Sequence, residues 1–257
     1  MSANKSQSQT HYVLVHGAWE DARSWEYVTP LLEQNGHAVT VVDLPGHGAN
    51  QQSISAMNMA NYIKTVVDVI TSLDRNVVLV AHSMAGAVVS QVAEQIPGLL
   101  ERLIYVCAFL LPEGDTVLEA MQSDDGEFLP NIIFADDNSY AMLPEQTLRS
   151  AGFHDVKEEV IQQVLPTLVE KQSTEPFMAQ VSVSSARFGS VPKSYIRCTI
   201  DRVTTSALQD RMIENWAVDS VYDLLSGHFP AFSVPGELAD LMQRAVNDAN
   251  QPQVSNG

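Results

Sequence analysis

Val77-Val78-Leu79-Val80-Ala81-His82-Ser83-Met84-Ala85-Gly86 is the stretch that decides the reading of this chain. An apolar run stops at a serine set among small residues, and an amphipathic pattern (Val88, Val89, Val92, Ile96) begins at once. A strand that turns straight into a helix at a serine lifts the hydroxyl onto a strained corner. The helix N-terminus beneath it offers free backbone N–H groups to an oxyanion. This is the geometry of a nucleophile elbow, and it points to acyl transfer. Ala81 and Ala85 stand where G-x-S-x-G has glycines. A methyl group is the smallest departure, so the turn remains feasible. The competing reading is a buried serine closing an ordinary strand–helix unit, and the rest of the chain decides between them.

Working outward, strand-like runs alternate with helical patterns, which predicts a mostly parallel sheet with helices on both faces. Strands are expected at 11–16, 37–44, 77–82, 103–109, 194–199 and 220–225. Helices are expected at 23–34, 57–73 and 236–247. The alternation breaks at Leu111-Pro112-Glu113-Gly114. From there to Pro192 the pattern is helical and irregular, with helices expected at 117–121, 145–150 and 156–164 and no parallel strand. An insertion of this size reads as a cap over the strand ends. The resulting division is a discontinuous core, 11–110 and 191–250, with a cap at 111–190. The polar tail from Asp248 is expected to fray.

A serine hydroxyl needs a base, and the base needs an orienting acid. In elbow-type enzymes the chain order is serine, acid, histidine, each just past a strand end. Asp201 directly follows the strand Tyr195–Ile200, and Ser226-Gly227-His228 follows the strand Tyr222–Leu225. Ser83, Asp201 and His228 are therefore expected to converge on one edge of the sheet. Asp115, after the 103–109 strand, is the alternative acid. Of the other histidines, His16 is expected to brace its loop, His82 to point away from Ser83, and His154 to sit on the surface. The oxyanion hole needs two N–H groups aimed at one point. Met84, after the nucleophile, and Ala18, in the loop His16-Gly17-Ala18-Trp19, are the candidate donors.

Composition bounds the alternatives. The chain has 257 residues, enough for one large α/β domain with an insertion, and 45% are hydrophobic. Fourteen Lys+Arg against 31 Asp+Glu give a net charge of −17. Such a surface repels nucleic acid and anionic membranes. No apolar run approaches the ~20 residues of a membrane span. Met1–Thr10 carries no apolar signal-peptide core, and a cytoplasmic protein is expected. Cys107 and Cys198 sit in apolar runs and read as buried reduced thiols. Neither C-x-x-C nor H-x-H-x-D is present, so no metal is expected.

The stretches VLVHGAW, VVDLPGHG, VLVAHSMAG, RLIYVCAFLLPEG, SVPKSYIRCTIDR, QDRMIEN and SGHFPAFS together resemble the α/β-hydrolases of the plant methylesterase and hydroxynitrile lyase branch and its bacterial esterase relatives. The resemblance runs from about Tyr12 to Arg244. It is strong in the core and weaker in the cap, except at Lys171–Phe177. It implies the α/β-hydrolase fold, a cofactor-free esterase and Ser83, Asp201 and His228 as its triad. The lyases of the branch carry a threonine after the histidine of the first loop and a lysine after the catalytic histidine. This chain has Gly17 and Phe229 there. Phenylalanine cannot stabilise departing cyanide, so the resemblance implies an esterase.

The expected substrate is a small or medium ester with hydrophobic bulk. Its pocket is assigned to Gly17, Trp19, His82, Phe128, Phe134, Phe177 and Phe229. A cofactor-free oxygenase, a C–C lyase and a non-catalytic small-molecule receptor are the alternatives that the same scaffold can host. Oligomeric state is left open, a homodimer included.

Overall fold

A computed structural model describes residues 9–248. The rest of the tail expected to fray, and most of the polar amino-terminal segment, lie outside the described residues. Six strands form one parallel sheet: β1 (His11–Val15), β2 (Ala38–Val42), β3 (Val77–His82), β4 (Leu100–Val106), and, after a long insertion, β8 (Lys193–Cys198) and β9 (Ser220–Leu224). Their order is β2-β1-β3-β4-β8-β9, with every neighbouring pair parallel.

The strand sequences explain why both faces must be covered. Val77, Leu79 and Ala81 of β3 bury into one core, while Val78 and Val80 bury into the other. A parallel strand apolar on both faces needs helices on both. On the first face lie α2 (Met59–Ser72), α3 (Ala85–Gln95) and α8 (Ser206–Glu214), contributing Tyr62, Val66, Val88, Val92 and Leu208. On the second lie α1 (Thr29–Gln34) and α10 (Pro235–Asn247), contributing Leu32, Leu238 and Met242. Asn58 caps α2 by accepting the Asn61 N–H at 2.9 Å.

Two elements depart from the expectation. The 23–34 helix is a 3-10 turn, Ala22–Trp25, followed by α1. Pro30 lies in the first turn of α1, where its missing N–H is tolerated, so the α-helix cannot begin at Arg23. The strand expected at 103–109 ends at Val106, because Cys107 takes φ +37° and swings the chain out of the sheet.

Between β4 and β8 lie α4 (Val117–Gln122), α5 (Glu145–Thr147) running into a π-turn at Leu148–Gly152, α6 (Glu158–Val164) and α7 (Glu175–Met178). The same segment contains a small antiparallel sheet that the sequence reading did not foresee. Its strands are β5 (Ile133–Phe134), β6 (Tyr140–Met142) and β7 (Gln172–Ser173). Strands of two or three residues are too short to show a period of two. Thr116 and Glu119 form a capping box at α4. The last helix of the segment, α7, leads back towards β8. Just beyond β9, the short helix α9 (Pro230–Ser233) precedes α10.

Candidate active site

The elbow exists as a backbone conformation. Ser83 takes φ +52° between β3 and α3, a left-handed position that a non-glycine residue holds only when its surroundings impose it. Here the imposed contacts are visible: Ser83 N–H donates to Val106 O at 3.3 Å, and Ser83 O accepts from Gly86 N and Phe109 N at 3.0 Å each. The glycine this crossing requires is Gly86. A Cβ there would stand 2.5 Å from Phe109 O, whereas Ala81 and Ala85 are accommodated and fully buried.

Three strand ends bring the expected side chains together. Ser83 Oγ lies 3.0 Å from His228 Nε2, and His228 Nδ1 lies 2.8 Å from Asp201 Oδ2. The other oxygen of Asp201 accepts the N–H groups of Val203 (2.7 Å) and Thr204 (3.1 Å), which fixes the carboxylate plane. All three residues are buried. The loop carrying His228 is held from the cap side, where Asp155 Oδ2 accepts Gly227 N–H at 2.7 Å. Asp115, the alternative acid, is exposed, and its backbone is tied to Pro112 and Val181.

Met84 opens α3 without a side-chain cap. Among the described residues neither Met84 N–H nor Ala18 N–H has a hydrogen-bond acceptor. Ala18 lines the small chamber in front of Ser83 together with Trp19, Phe128, Phe177, Val203, Thr204 and Phe229. Trp19 is tied to the segment between β4 and β8: its indole N–H donates to Ala141 O at 3.1 Å. Thr204 Oγ1 is buried in this wall with no partner. Beyond Met121 and Phe177, which line both spaces, opens an apolar cavity of about 250 Å³ walled also by Leu118, Leu129, Ile132 and Met178.

Phe134, 44% exposed, lines this outer cavity and not the chamber. Two pocket assignments need correction. Gly17 does not face the chamber. Its N–H donates to Glu20 Oε2 at 2.7 Å, and an added Cβ would stand 2.5 Å from that oxygen and 3.0 Å from Ser83 Cβ. His82 lies behind the reacting groups, with Nδ1 2.6 Å from Glu20 Oε2 and Nε2 2.7 Å from His228 O. Glu20, buried in the first loop, was missed by the sequence reading. Nothing in spacing connects it to a histidine 62 residues away, and in a loop that also carries Asp21 and Arg23 a further carboxylate gave no signal. His154, expected at the surface, is partly exposed and bonds Ile200 O at 3.0 Å.

The buried histidines differ in charge for physical reasons. Burial pushes His16 down to about 4. The geometry agrees: Leu44 N–H donates to its Nε2 at 3.1 Å, leaving Nδ1–H for Gly17 O at 2.8 Å, so His16 braces its loop as a neutral ring. Burial also pushes against a charged His82, but the Glu20 carboxylate beside it overrides this and raises its pKa. Glu20 is correspondingly held below the ordinary carboxylate range, its burial outweighed by His82. His82, Cys107 and His228 place donor atoms within 4.8 Å of one another, as a metal would require. The ring nitrogens of both histidines are turned to Glu20, a carbonyl, Asp201 and Ser83, however, so the group does not converge on an ion.

A model of the alpha/beta hydrolase family matches residues 12–241, and the chain belongs to that family. It is 30% identical to methylesterase 9 of Arabidopsis thaliana over 92% of this chain and 98% of that protein. It is 29% identical to the putative chloroplastic methylesterase 11 of the same plant, over 90% of this chain but only 63% of that longer relative. A pyrethroid hydrolase from Sphingobium faniae JZ-2 superposes with a TM-score of 0.82 at 26% identity, covering 93% of this chain and 98% of that one. These likenesses place the chain in the methylesterase branch expected from its motifs. No described helix is long and apolar enough to cross a membrane.

Proposed function

We propose that this α/β-hydrolase is a carboxylic ester hydrolase working through an acyl-enzyme on Ser83. The observation that carries the reading is the unbroken chain Ser83 Oγ, His228 Nε2, His228 Nδ1, Asp201 Oδ2, with links of 3.0 and 2.8 Å. Ser83 attacks the ester carbonyl while His228 takes its proton. Asp201 holds the imidazole with Nδ1–H towards itself, leaving Nε2 to accept. Ala18 and Met84 N–H groups stabilise the oxyanion. His228 returns the proton to the leaving alcohol, and water activated by the same base releases the acid.

Ester hydrolases among the relatives, by the names they carry, support this chemistry. The apolar chamber and the 250 Å³ cavity support a hydrophobic substrate. Apolar cavities of about 150 Å³ already hold benzene, so the outer space takes a larger group. No cationic side chain lines the chamber among the described residues. Cyanohydrin cleavage, which needs a positive charge near departing cyanide, is therefore the weaker reading.

The test combines two assays. Wild type should hydrolyse p-nitrophenyl butyrate and leave mandelonitrile at the buffer rate at mildly acidic pH. A fluorophosphonate should label one peptide, the one containing Ser83. Efficient mandelonitrile cleavage, or labelling elsewhere, contradicts the proposal.

A further inference from the structure

We propose that Glu20 and His82 form a buried clamp that positions both the oxyanion loop and His228, one carboxylate oxygen joining the three loops of the site. The inference rests on the ester-hydrolase reading above. Glu20 Oε2 accepts Gly17 N–H at 2.7 Å and meets His82 Nδ1 at 2.6 Å. His82 Nε2 in turn meets the backbone carbonyl of His228 at 2.7 Å. Both residues are buried, at 2% and 5% exposure.

Donor counting gives the protonation state. A backbone carbonyl only accepts, so His82 Nε2 bears a hydrogen. With Glu20 ionised, the state its lowered pKa favours, the carboxylate also only accepts, so Nδ1 bears one too. His82 is thus an imidazolium paired with a carboxylate, and the pair is neutral as a whole. Burial opposes the charge on His82 and the adjacent Glu20 carboxylate sustains it, in the direction the geometry requires. The other titratable groups that face the pair are His16, Cys107, His228 and Asp201.

The mechanical consequence follows from the atoms joined. Gly17 N–H turned to Glu20 fixes the His16–Gly17 peptide, one before the peptide that presents the Ala18 N–H beside the chamber. His82 is the residue before Ser83, so the same oxygen reaches the elbow. Its Nε2–H holds the His228 backbone, whose ring stands 4.9 Å from that of His82 between centroids. Gly17 is glycine because a side chain there would collide with this oxygen.

A glutamine at position 20 has the right shape and fails chemically. Its oxygen can accept from Gly17 but no longer holds an imidazolium; its NH2 can serve His82 but then opposes the Gly17 N–H. Glu20 is accordingly a positioning residue. Misplacement of catalytic groups by about 1 Å costs on the order of 10²-fold.

The experiment uses the full chain with p-nitrophenyl butyrate, together with 15N-histidine spectra at pH 8. In wild type one histidine should show both ring nitrogens protonated at pH 8, and this signal should vanish in His82→Gln. Glu20→Gln should lose that imidazolium and fall at least tenfold in kcat with KM within threefold. The inference is overturned by a fall of less than tenfold, or by the absence of an imidazolium at pH 8 in wild type. If Glu20→Gln does not fold by circular dichroism, His82→Gln kinetics and the wild-type spectrum decide in the same terms. If Ser83→Ala hydrolyses the ester as well as wild type, the ester-hydrolase reading fails and the positioning role falls with it. The wild-type spectrum still tests the ion pair independently.

Discussion

In the proposed mechanism Ser83 and His228 depend on each other for reactivity, so removing either should leave little. Ser83→Ala and His228→Ala are each expected to lower kcat by about 10³-fold or more with the fold retained, as for other triads. Asp201→Asn should be crippling, and Asp115→Asn should not, because Asp201 Oδ2 holds the His228 ring while Asp115 is exposed. Steady-state kinetics of the four variants checks this; a crippled Asp115→Asn beside an active Asp201→Asn would reassign the acid. The convergence of Ser83, Asp201 and His228 was legible because each lies within a few residues of the end of an apolar strand and the chain order serine, acid, histidine is restrictive. Glu20 was not, since its partner is brought to it only by the fold. His82 was expected both to point away from Ser83 and to line the pocket; its ring does turn away, to the Glu20 side, which takes it out of the chamber.

At the scale of elements, the crossing of α3 over the Phe109 segment is the tight point. Gly86→Ala forces a methyl to 2.5 Å from Phe109 O, and overpacking of this kind costs about 1–3 kcal/mol. Urea unfolding should show it as a lower midpoint; an unchanged midpoint would mean the crossing relaxes freely. The first loop gives a pH effect of definite sign. His16 is depressed to about 4 in the folded state against 6.5 unfolded. Between these values the unfolded chain binds the extra proton, so stability rises with pH there. The His16 contribution is complete above pH 6.5 and is lost as pH falls towards 4, by about 3 kcal/mol at most. His47, also lowered by burial, adds in the same direction. His82 has the opposite sign: its raised pKa stabilises fully below 6.5, and that part is lost as pH rises through its folded pKa. Urea unfolding at pH 7.5, 6 and 4.5 should therefore show an acid loss that shrinks in His16→Gln; an equal loss in both proteins would remove His16 as its cause. The long strands announced themselves by continuous apolar runs and α2 by its helical periodicity. The cap sheet did not, since Ile133–Phe134 and Gln172–Ser173 are each only two residues long and owe their conformation to pairing with β6.

Across the whole molecule, the sheet and the segment between β4 and β8 divide the work. In the proposed mechanism strand ends supply the reacting groups, and that segment supplies the apolar walls against which the substrate's bulk would pack. Leu118→Trp, which fills the outer cavity, should raise KM for p-nitrophenyl octanoate at least tenfold and leave p-nitrophenyl acetate within twofold. Equal effects on both esters would mean that the cavity does not hold the substrate's bulk. Parallel alternation and the break at Leu111 were readable from the sequence, because a core buried on both faces leaves continuous apolar runs. The shape of the cavity was not readable, since it depends on how α4, α7 and the small sheet meet. The central claim, an acyl-enzyme on Ser83, is tested most directly by rapid mixing with p-nitrophenyl acetate followed by intact-mass measurement of the quenched protein. The account predicts one acetyl group per chain, mapped to Ser83, formed in wild type and absent in Ser83→Ala. An acetyl adduct that persists in Ser83→Ala, or ester turnover that persists there at the wild-type rate, would contradict it.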